Sequence, residues 1–192
     1  MSILASGSPR RRELLQQIGA VFRVEVSEAE ELSQADSPAE LVRLNAAAKA
    51  EAVAREHPGE AVLGADTVVA LEGEIYGKPR DAAEARAMLA ALAGRRHEVL
   101  TGIAWVSGGQ TFSEAVSTQV QFGEMTDSEI SRYVATGEPL DKAGAYALQG
   151  GAAVFIEGIE GSYSNVVGLP LHHTALLAKK AGVDLYGTGS SK

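Results

Sequence analysis

Three motifs of the kind that begin helices divide this sequence more firmly than any other feature. In each, a Ser, Asp or Thr is followed three residues later by Glu, at residues 37–40, 81–84 and 126–129. The first residue can cap the free N–H groups of a helix and the Glu can reach back to it, so each motif predicts a helix start. Another helix is predicted from Ser8 as cap and Pro9 as first residue, ending at Gly19.

Strand patterns alternate with these helices. They lie at residues 2–5, 22–26, 61–71, 74–76, 99–106 and 111–122, and Gly108-Gly109 joins the last two as a hairpin. A glycine-rich stretch at 144–168 precedes a last predicted helix at 170–181. Because both helical crossovers and tight turns connect the strands, the sequence predicts an α/β fold with a mixed twisted sheet and flanking helices.

The length favours one domain or two tightly joined lobes. We assign residues 1–186 to a single domain, since 192 residues is close to the usual domain size. Residues 187–192 are mostly Gly and Ser and are predicted to be a flexible tail.

Charge and composition exclude several functions. The chain has 17 basic and 25 acidic residues, and this net charge of −8 disfavours an extended nucleic acid as partner, because that binding needs a basic surface. With no cysteine, the chain has no disulfide, thiol nucleophile or thiolate metal site. We find no signal or membrane-span pattern, and expect a cytoplasmic protein with no membrane partner. The charge is uneven: residues 1–23 hold four Arg and one Glu, whereas residues 25–60 hold nine acids and three bases.

The turn after the first predicted strand has the residues of a phosphate site. Residues 6–12 are Ser-Gly-Ser-Pro-Arg-Arg-Arg. Hydroxyls, free helix N–H groups and arginine forks all donate to phosphate oxygens. Alternatively, Ser8 only caps the helix and the arginines face solvent. Three cations in a first helical turn oppose the helix dipole, which favours an anion among them.

A carboxylate and a hydroxyl, Asp66 and Thr67, interrupt an otherwise apolar strand. Ligands of α/β sheets gather at strand ends, and a desolvated aspartate there can hold a metal or accept a proton from water. Alternatively, Asp66 turns the chain before a hairpin. The apolar flanks favour the functional interpretation, because aspartate is rarely buried without a partner.

Two lysines could reach a phosphate as point charges. Lys49 lies four residues after Asn45 on one face of a predicted helix, and Lys78 lies in a loop. The alternative for both is an ordinary solvated lysine.

An acidic run, Glu28, Glu30 and Glu31, could give Mg²⁺ a carboxylate beside Asp66. Charge runs are more often solvated loops, so that alternative stays open.

Five blocks together resemble the Maf family of nucleoside triphosphate pyrophosphatases. They are LASGSPRRRELL at 4–15, GADTVV at 64–69, GKPRD at 77–81, YVATGEPLDKAGAYALQG at 133–150 and GSYSNVVGLPL at 161–171. The resemblance covers most of the chain and implies two lobes around a central cleft, as in the inosine triphosphate pyrophosphatases.

The resemblance implies hydrolysis of the α–β phosphoanhydride of a nucleoside triphosphate, with a divalent metal, Mg²⁺ or Mn²⁺, in a house-cleaning role. It makes Asp66 the general base and a metal ligand together with Glu31. Glu28 and Glu30 remain alternatives to Glu31, because the acidic loop at residues 27–36 matches the family loosely. By the same resemblance, the triphosphate ligands are Ser6, Arg11, Lys49 and Lys78. It further suggests a homodimer.

Three positions match the subgroup of the family that acts on dTTP and UTP. They are Arg10, Thr67 and Gln149, and the subgroup that prefers 7-methyl-GTP has other residues there. A carboxamide such as Gln149 offers both a donor and an acceptor to the edge of uracil or thymine. The physiological substrates then include canonical or modified pyrimidine nucleotides.

Two other functions compete with this one. A nucleotide-binding regulator of division or septum formation would bind without forming product. The other is the same chemistry on purine nucleotides, and a change of base preference on replacement of Gln149 would distinguish the two substrate classes.

Overall fold

The computed structural model describes residues 1–187 and has the predicted mixed α/β fold. Its sheet has the strand order β2-β1-β3-β5-β6-β7, and β4 pairs with β3. The strands are β1 (Ser2–Leu4), β2 (Phe22–Val24), β3 (Val62–Leu71), β4 (Glu74–Tyr76), β5 (Arg96–Ser107), β6 (Gln110–Phe122) and β7 (Ile156–Glu160). The helices are α1 (Pro9–Gln17), α2 (Pro38–Glu56), α3 (Ala82–Leu92), α4 (Asp127–Ala135), α5 (Tyr163–Val167) and α6 (Leu171–Lys180).

The chain divides into two compact units. Unit 1 comprises residues 1–66, 101–116 and the chain from Gly168, and unit 2 comprises residues 67–100 and 117–167. Strands β3, β5 and β6 contribute to both units. Of the predicted tail at 187–192, all but Gly187 lies outside the described residues.

Unit 1 contains the parallel part of the sheet. β1 pairs in parallel with both β2 and β3, and small side chains of α2 pack against residues of β1, β3 and β5. The shared core is Ile3, Ala5, Ala46, Ala50, Val53, Val62, Ala104 and Val106. Four of these eight residues are alanines, so the helix can lie close to the sheet.

Unit 2 contains antiparallel pairs and a larger core. β4 pairs with β3 and β7 pairs with β6, both antiparallel. α3 packs against α4, and the core includes Leu89, Leu92, Phe122 and Tyr133. Three 3₁₀ turns, Glu138–Asp141, Ala143–Ala145 and Gly151–Phe155, follow α4.

All four predicted caps are used, because the side chains of Ser8, Ser37, Asp81 and Thr126 each accept the N–H three residues later. Only Thr126 and Glu129 form the full reciprocal box. Glu40 and Glu84 bind nearby arginines instead. The motif therefore predicts three helix starts correctly, although its Glu does not bond to the cap backbone at two of them. Glu40 pairs with Arg43, and Glu84 accepts from both the guanidinium and the backbone N–H of Arg80.

The glycine-rich stretch is where sequence and structure differ most. Residues 144–168 contain β7, α5 and a 3₁₀ turn, none of which was predicted. β7 reads Ile-Glu-Gly-Ile-Glu, with a glycine, Gly158, at its centre and without strict alternation of apolar and polar residues. Its strand conformation comes from pairing with β6 rather than from local propensity. No helix within residues 1–187 combines the length and the apolar character needed to cross a bilayer.

A buried histidine lies in the core of unit 2. His97 is 2% exposed and its Nε2 is 2.9 Å from the hydroxyl oxygen of Tyr146. Phe122 and Tyr146 pack edge-on against its ring, with centroids 4.9 and 5.5 Å away. Burial lowers the pKa of His97 to about 4.

This depressed pKa predicts acid sensitivity. Between the ordinary histidine pKa of about 6.5 and the folded pKa, the unfolded chain binds a proton that the folded chain does not, so stability falls as the pH falls. His97 would contribute a loss of at most about 3 kcal/mol over that interval. We expect His97→Gln to flatten this part of the curve of unfolding free energy against pH, measured by denaturant titration. His172→Gln, at an exposed position, is the control, and parallel curves for wild type and His97→Gln would contradict the prediction.

Candidate active site

The turn between β1 and α1 holds a fixed guanidinium. Arg11 donates from Nη1 to Ser6 Oγ at 3.1 Å and from Nε to the carbonyl of Gly168 at 2.8 Å. Loss of solvent lowers the pKa of Arg11 to about 10, and the charge of Asp66 acts in the opposite direction. Ser6 and Arg11, both predicted phosphate ligands, are therefore in direct contact.

The other arginines of the turn are less enclosed. Arg10 is half-buried, and its positive charge contributes to the lowered pKa of Arg11. Arg12 is exposed. Since Ser8 caps α1, the helix N-terminus and two arginines form one electropositive turn in unit 1.

Asp66 lies near the middle of β3 and is 8% exposed. Lys49 Nζ donates to its Oδ1 at 2.8 Å and Asn45 Nδ2 donates to its Oδ2 at 3.3 Å. Both donors come from α2, where four-residue spacing places them on one face. The buried carboxylate is thus held by one donor on each oxygen, and the interpretation of Asp66 as a mere turn residue is wrong.

Two glycines let α2 approach the sheet closely enough for these contacts. A Cβ at Gly64 would overlap the carbonyl oxygen of Ala46 and lie 2.8 Å from the Ala50 nitrogen. A Cβ at Gly102 would overlap the carbonyl of Val42. Any side chain at either position must therefore push the helix backbone away from the strand.

The acidic loop reaches the same lysine. Glu31, whose side chain is 60% exposed, places Oε1 2.7 Å from Lys49 Nζ, so one ammonium lies between two carboxylates. Through Lys49, the structure therefore brings Glu31 close to Asp66.

Asn45 has a further contact that the sequence did not reveal. Its Oδ1 accepts the Leu32 N–H at 2.8 Å and its Nδ2 donates to the Leu32 carbonyl at 3.1 Å. The side chain therefore fixes the backbone next to Glu31 as well as the carboxylate of Asp66. The signal in the sequence is the helix face that Asn45 shares with Lys49, which predicts that both side chains point into one cleft but does not predict the contact with Leu32.

The remaining predicted residues lie in unit 2. Thr67 is half-buried and follows Asp66 along the strand, so its side chain points to the opposite face of the sheet. Lys78 is exposed in the segment after β4, and Gln149 is exposed in the turn before Gly151–Phe155. The contacts described above form two groups within unit 1, Ser6 with Arg11 and Lys49 with Glu31 and Asp66, and the charge of Asp66 acts on Arg11. Thr67, Lys78 and Gln149 take no part in these contacts.

Unit 1 has a second cluster of groups able to bind metal. Ligand atoms of Glu25, Glu56 and His57 all lie within 4.8 Å of one another. Both ring nitrogens of His57 are engaged, however, Nε2 with Glu25 at 2.7 Å and Nδ1 with the guanidinium of Arg23 at 3.2 Å. We interpret this cluster as an ion-pair network.

Comparison with known proteins identifies the chain. The model of the Maf family, described as Maf-like protein, matches residues 2–181. The chain belongs to the Maf family. Among its relatives, the dTTP/UTP pyrophosphatase of Symbiobacterium thermophilum is 51% identical over 189 residues, covering 98% of this chain and 97% of that protein. The protein of the same name from Bacillus cytotoxicus is 52% identical over 170 residues, covering 88% of this chain and 89% of that protein. The one from Myxococcus xanthus is 50% identical over 184 residues, covering 95% of this chain and 93% of that protein.

A solved structure also matches this Maf-family chain. The Staphylococcus aureus Ham1 protein aligns with a TM-score of 0.47 at 18% identity, covering 94% of this chain and 97% of that one.

The close approach of α2 yields a prediction for this Maf-family chain. We expect Gly64→Ala to lower the free energy of unfolding by ~1–3 kcal/mol or more, because the added methyl meets backbone atoms that cannot rotate away. Denaturant unfolding measures the loss. Gly158→Ala is the matched control, since nothing lies within 4 Å of a Cβ there. Equal stability of the two variants would show that α2 does not need the glycine.

Proposed function

We propose that this protein is a nucleoside triphosphate pyrophosphatase that converts dTTP and UTP to the monophosphate and pyrophosphate. The observation that carries the proposal is the 51% identity, over 98% of the chain, to a relative named dTTP/UTP pyrophosphatase. Two contacts in unit 1 support it: the buried carboxylate of Asp66 accepts from Lys49, and the hydroxyl of Ser6 accepts from Arg11.

In the proposed reaction Asp66 is the general base. The oxygen of a water molecule bonds to the α-phosphorus, and one proton of that water passes to a carboxylate oxygen of Asp66. The bond from the α-phosphorus to the bridging oxygen breaks, and its electron pair leaves with pyrophosphate. Lys49 and Asn45 each occupy only part of the acceptor capacity of a carboxylate, so a water can still donate to Asp66.

Cationic and hydroxyl donors would bind the triphosphate. We assign this role to Ser6, Arg11, Lys49 and Lys78. The Ser6 contact holds the guanidinium of Arg11 in place, which reduces the entropy lost on binding an anion. An ammonium has three donors, and the contacts of Lys49 with Asp66 and Glu31 leave capacity for a phosphate oxygen.

Asp66 and Glu31 also fit a divalent cation, Mg²⁺ or Mn²⁺. Carboxylate oxygens are the ligands that such hard ions prefer, and the ammonium of Lys49 shows that positive charge is accommodated between these two acids. When bound, the metal would neutralise charge on the phosphate oxygens.

We assign the choice of base to Arg10, Thr67 and Gln149. A carboxamide that pairs with the O4 and N3–H edge of uracil or thymine leaves polar groups unpaired when a purine binds, which can produce large discrimination. From the family resemblance we also propose a cytoplasmic homodimer.

A nucleotide panel tests the proposed activity. We expect dTTP and UTP, with Mg²⁺ or Mn²⁺, to yield monophosphate and pyrophosphate, and purine nucleotides to react more slowly. Product identification by chromatography and a pyrophosphate assay measures this. Release of orthophosphate, or nucleotide binding without product, would contradict it, and binding alone would favour a regulatory protein.

The role of Asp66 has its own test. We expect Asp66→Asn to lower kcat by about 10²-fold to 10⁴-fold, because an amide cannot take the proton, and to retain nucleotide binding. Turnover and equilibrium binding are measured on the same preparation. Asp36→Asn, at an exposed position in the acidic loop, is the control. Undiminished turnover in Asp66→Asn would remove Asp66 from the base role.

A further inference from the structure

The segment that carries Gln149 is held on both sides of that residue. Gln149 itself is exposed, at a turn closed by the hydrogen bond from Gly150 N to Ala147 O at 3.1 Å. Before it, the Ala147 N–H donates to the hydroxyl of Tyr133 at 3.1 Å. After it, the Gly151 N–H donates to the carboxylate of Glu138, 3.0 Å from Oε1 and 3.2 Å from Oε2.

The two acceptors are linked to each other. The hydroxyl of Tyr133, a residue of α4 that is 5% exposed, donates to Glu138 Oε1 at 2.6 Å. α4 ends at Ala135, and Gly137, whose φ of +77° turns the chain, precedes Glu138, whose carboxylate returns to Tyr133. One hydroxyl and one carboxylate thus connect the backbone before Gln149 with the backbone after it.

The glycines that follow Gln149 fit tightly against this pair. A Cβ at Gly150 would overlap the carboxylate of Glu138. A Cβ at Gly151 would lie 3.2 Å from the ring of Tyr133. The φ of Gly150 is −132°, which other residues also adopt, so glycine is required there by the carboxylate and not by the backbone.

The contacts of Tyr133 and Glu138 converge on the turn that carries Gln149. Both acceptors bind backbone N–H groups within two residues of Gln149, while the side chain of Gln149 stays exposed. Ordering this short turn in advance lowers the entropy lost when its one exposed carboxamide binds a base.

We propose that Tyr133 and Glu138 are positioning residues for base selection, which act by holding the turn that presents Gln149. This inference rests on the proposed function. It adds two buried or half-buried residues of unit 2 to the determinants of pyrimidine preference.

The test measures a ratio. For each variant, kcat/KM is determined for UTP and for GTP, and their quotient does not depend on how much of the preparation is folded. We expect Tyr133→Phe and Glu138→Ala to lower the quotient about 10-fold, mainly through a higher KM for UTP. Glu138→Gln retains an acceptor for the Gly151 N–H, so we expect it to stay closer to wild type.

A double-mutant cycle with Gln149→Leu completes the design. If Tyr133 acts through Gln149, Tyr133→Phe leaves the quotient unchanged once Gln149 has been replaced. Tyr163→Phe and Glu157→Gln, both at exposed positions of unit 2, are the matched controls. An equal loss for UTP and GTP, or a further fall of the quotient in the Gln149→Leu background, would overturn the inference. A wild-type protein that turns over no pyrimidine nucleotide would instead overturn the proposed function, and this inference with it.

Discussion

The contact that the unit 1 site depends on is the close approach of α2 to the sheet at Gly64 and Gly102, where a Cβ would overlap carbonyl oxygens of the helix. This approach brings Lys49 and Asn45 within hydrogen-bonding distance of Asp66. A buried carboxylate without such donors is strongly destabilising. The glycines therefore permit a charged residue within an apolar strand, and the small alanine side chains of α2 extend the same close packing along the helix.

The net charge of −8 does not describe how the basic and acidic residues are distributed in the structure. The arginines of the first turn and the acids of the following loop belong to one unit, and Lys49 lies between two of the carboxylates. Basic and acidic groups close to one another suit a small anion that binds together with a cation, because the basic groups neutralise the anion and the acidic groups neutralise the cation. A long phosphate backbone would need an extended basic surface, which this balance does not provide.

Local signals in the sequence predicted the elements that local interactions determine. Helix starts at Ser37, Asp81 and Thr126 follow from hydrogen bonds over three residues, and the turn at Gly108-Gly109 follows from their positive φ values. β7 depends on pairing with β6, so no periodic pattern in its own sequence predicts it. The candidate site likewise combines a feature that local sequence predicts with a contact that it does not. Asp66 was visible as a polar break in an apolar strand, whereas the contact of Asn45 with Leu32 spans an irregular loop whose path no pattern predicts.

The candidate residues of the two units present different chemical groups. Ser6, Arg11, Lys49 and Asp66 present groups that suit phosphate and water, and every nucleoside triphosphate shares that chemistry. Selection among bases must therefore come from groups that meet the base edge, since equal binding of the triphosphate cannot discriminate. If the side chain and backbone of an exposed carboxamide are flexible, ordering them costs entropy when a base binds, and this cost weakens the discrimination between bases. Backbone contacts to Tyr133 and Glu138 restrict the freedom of the turn at Gln149, so in the proposed role the specificity of an exposed residue would depend on a hydroxyl that is almost fully buried.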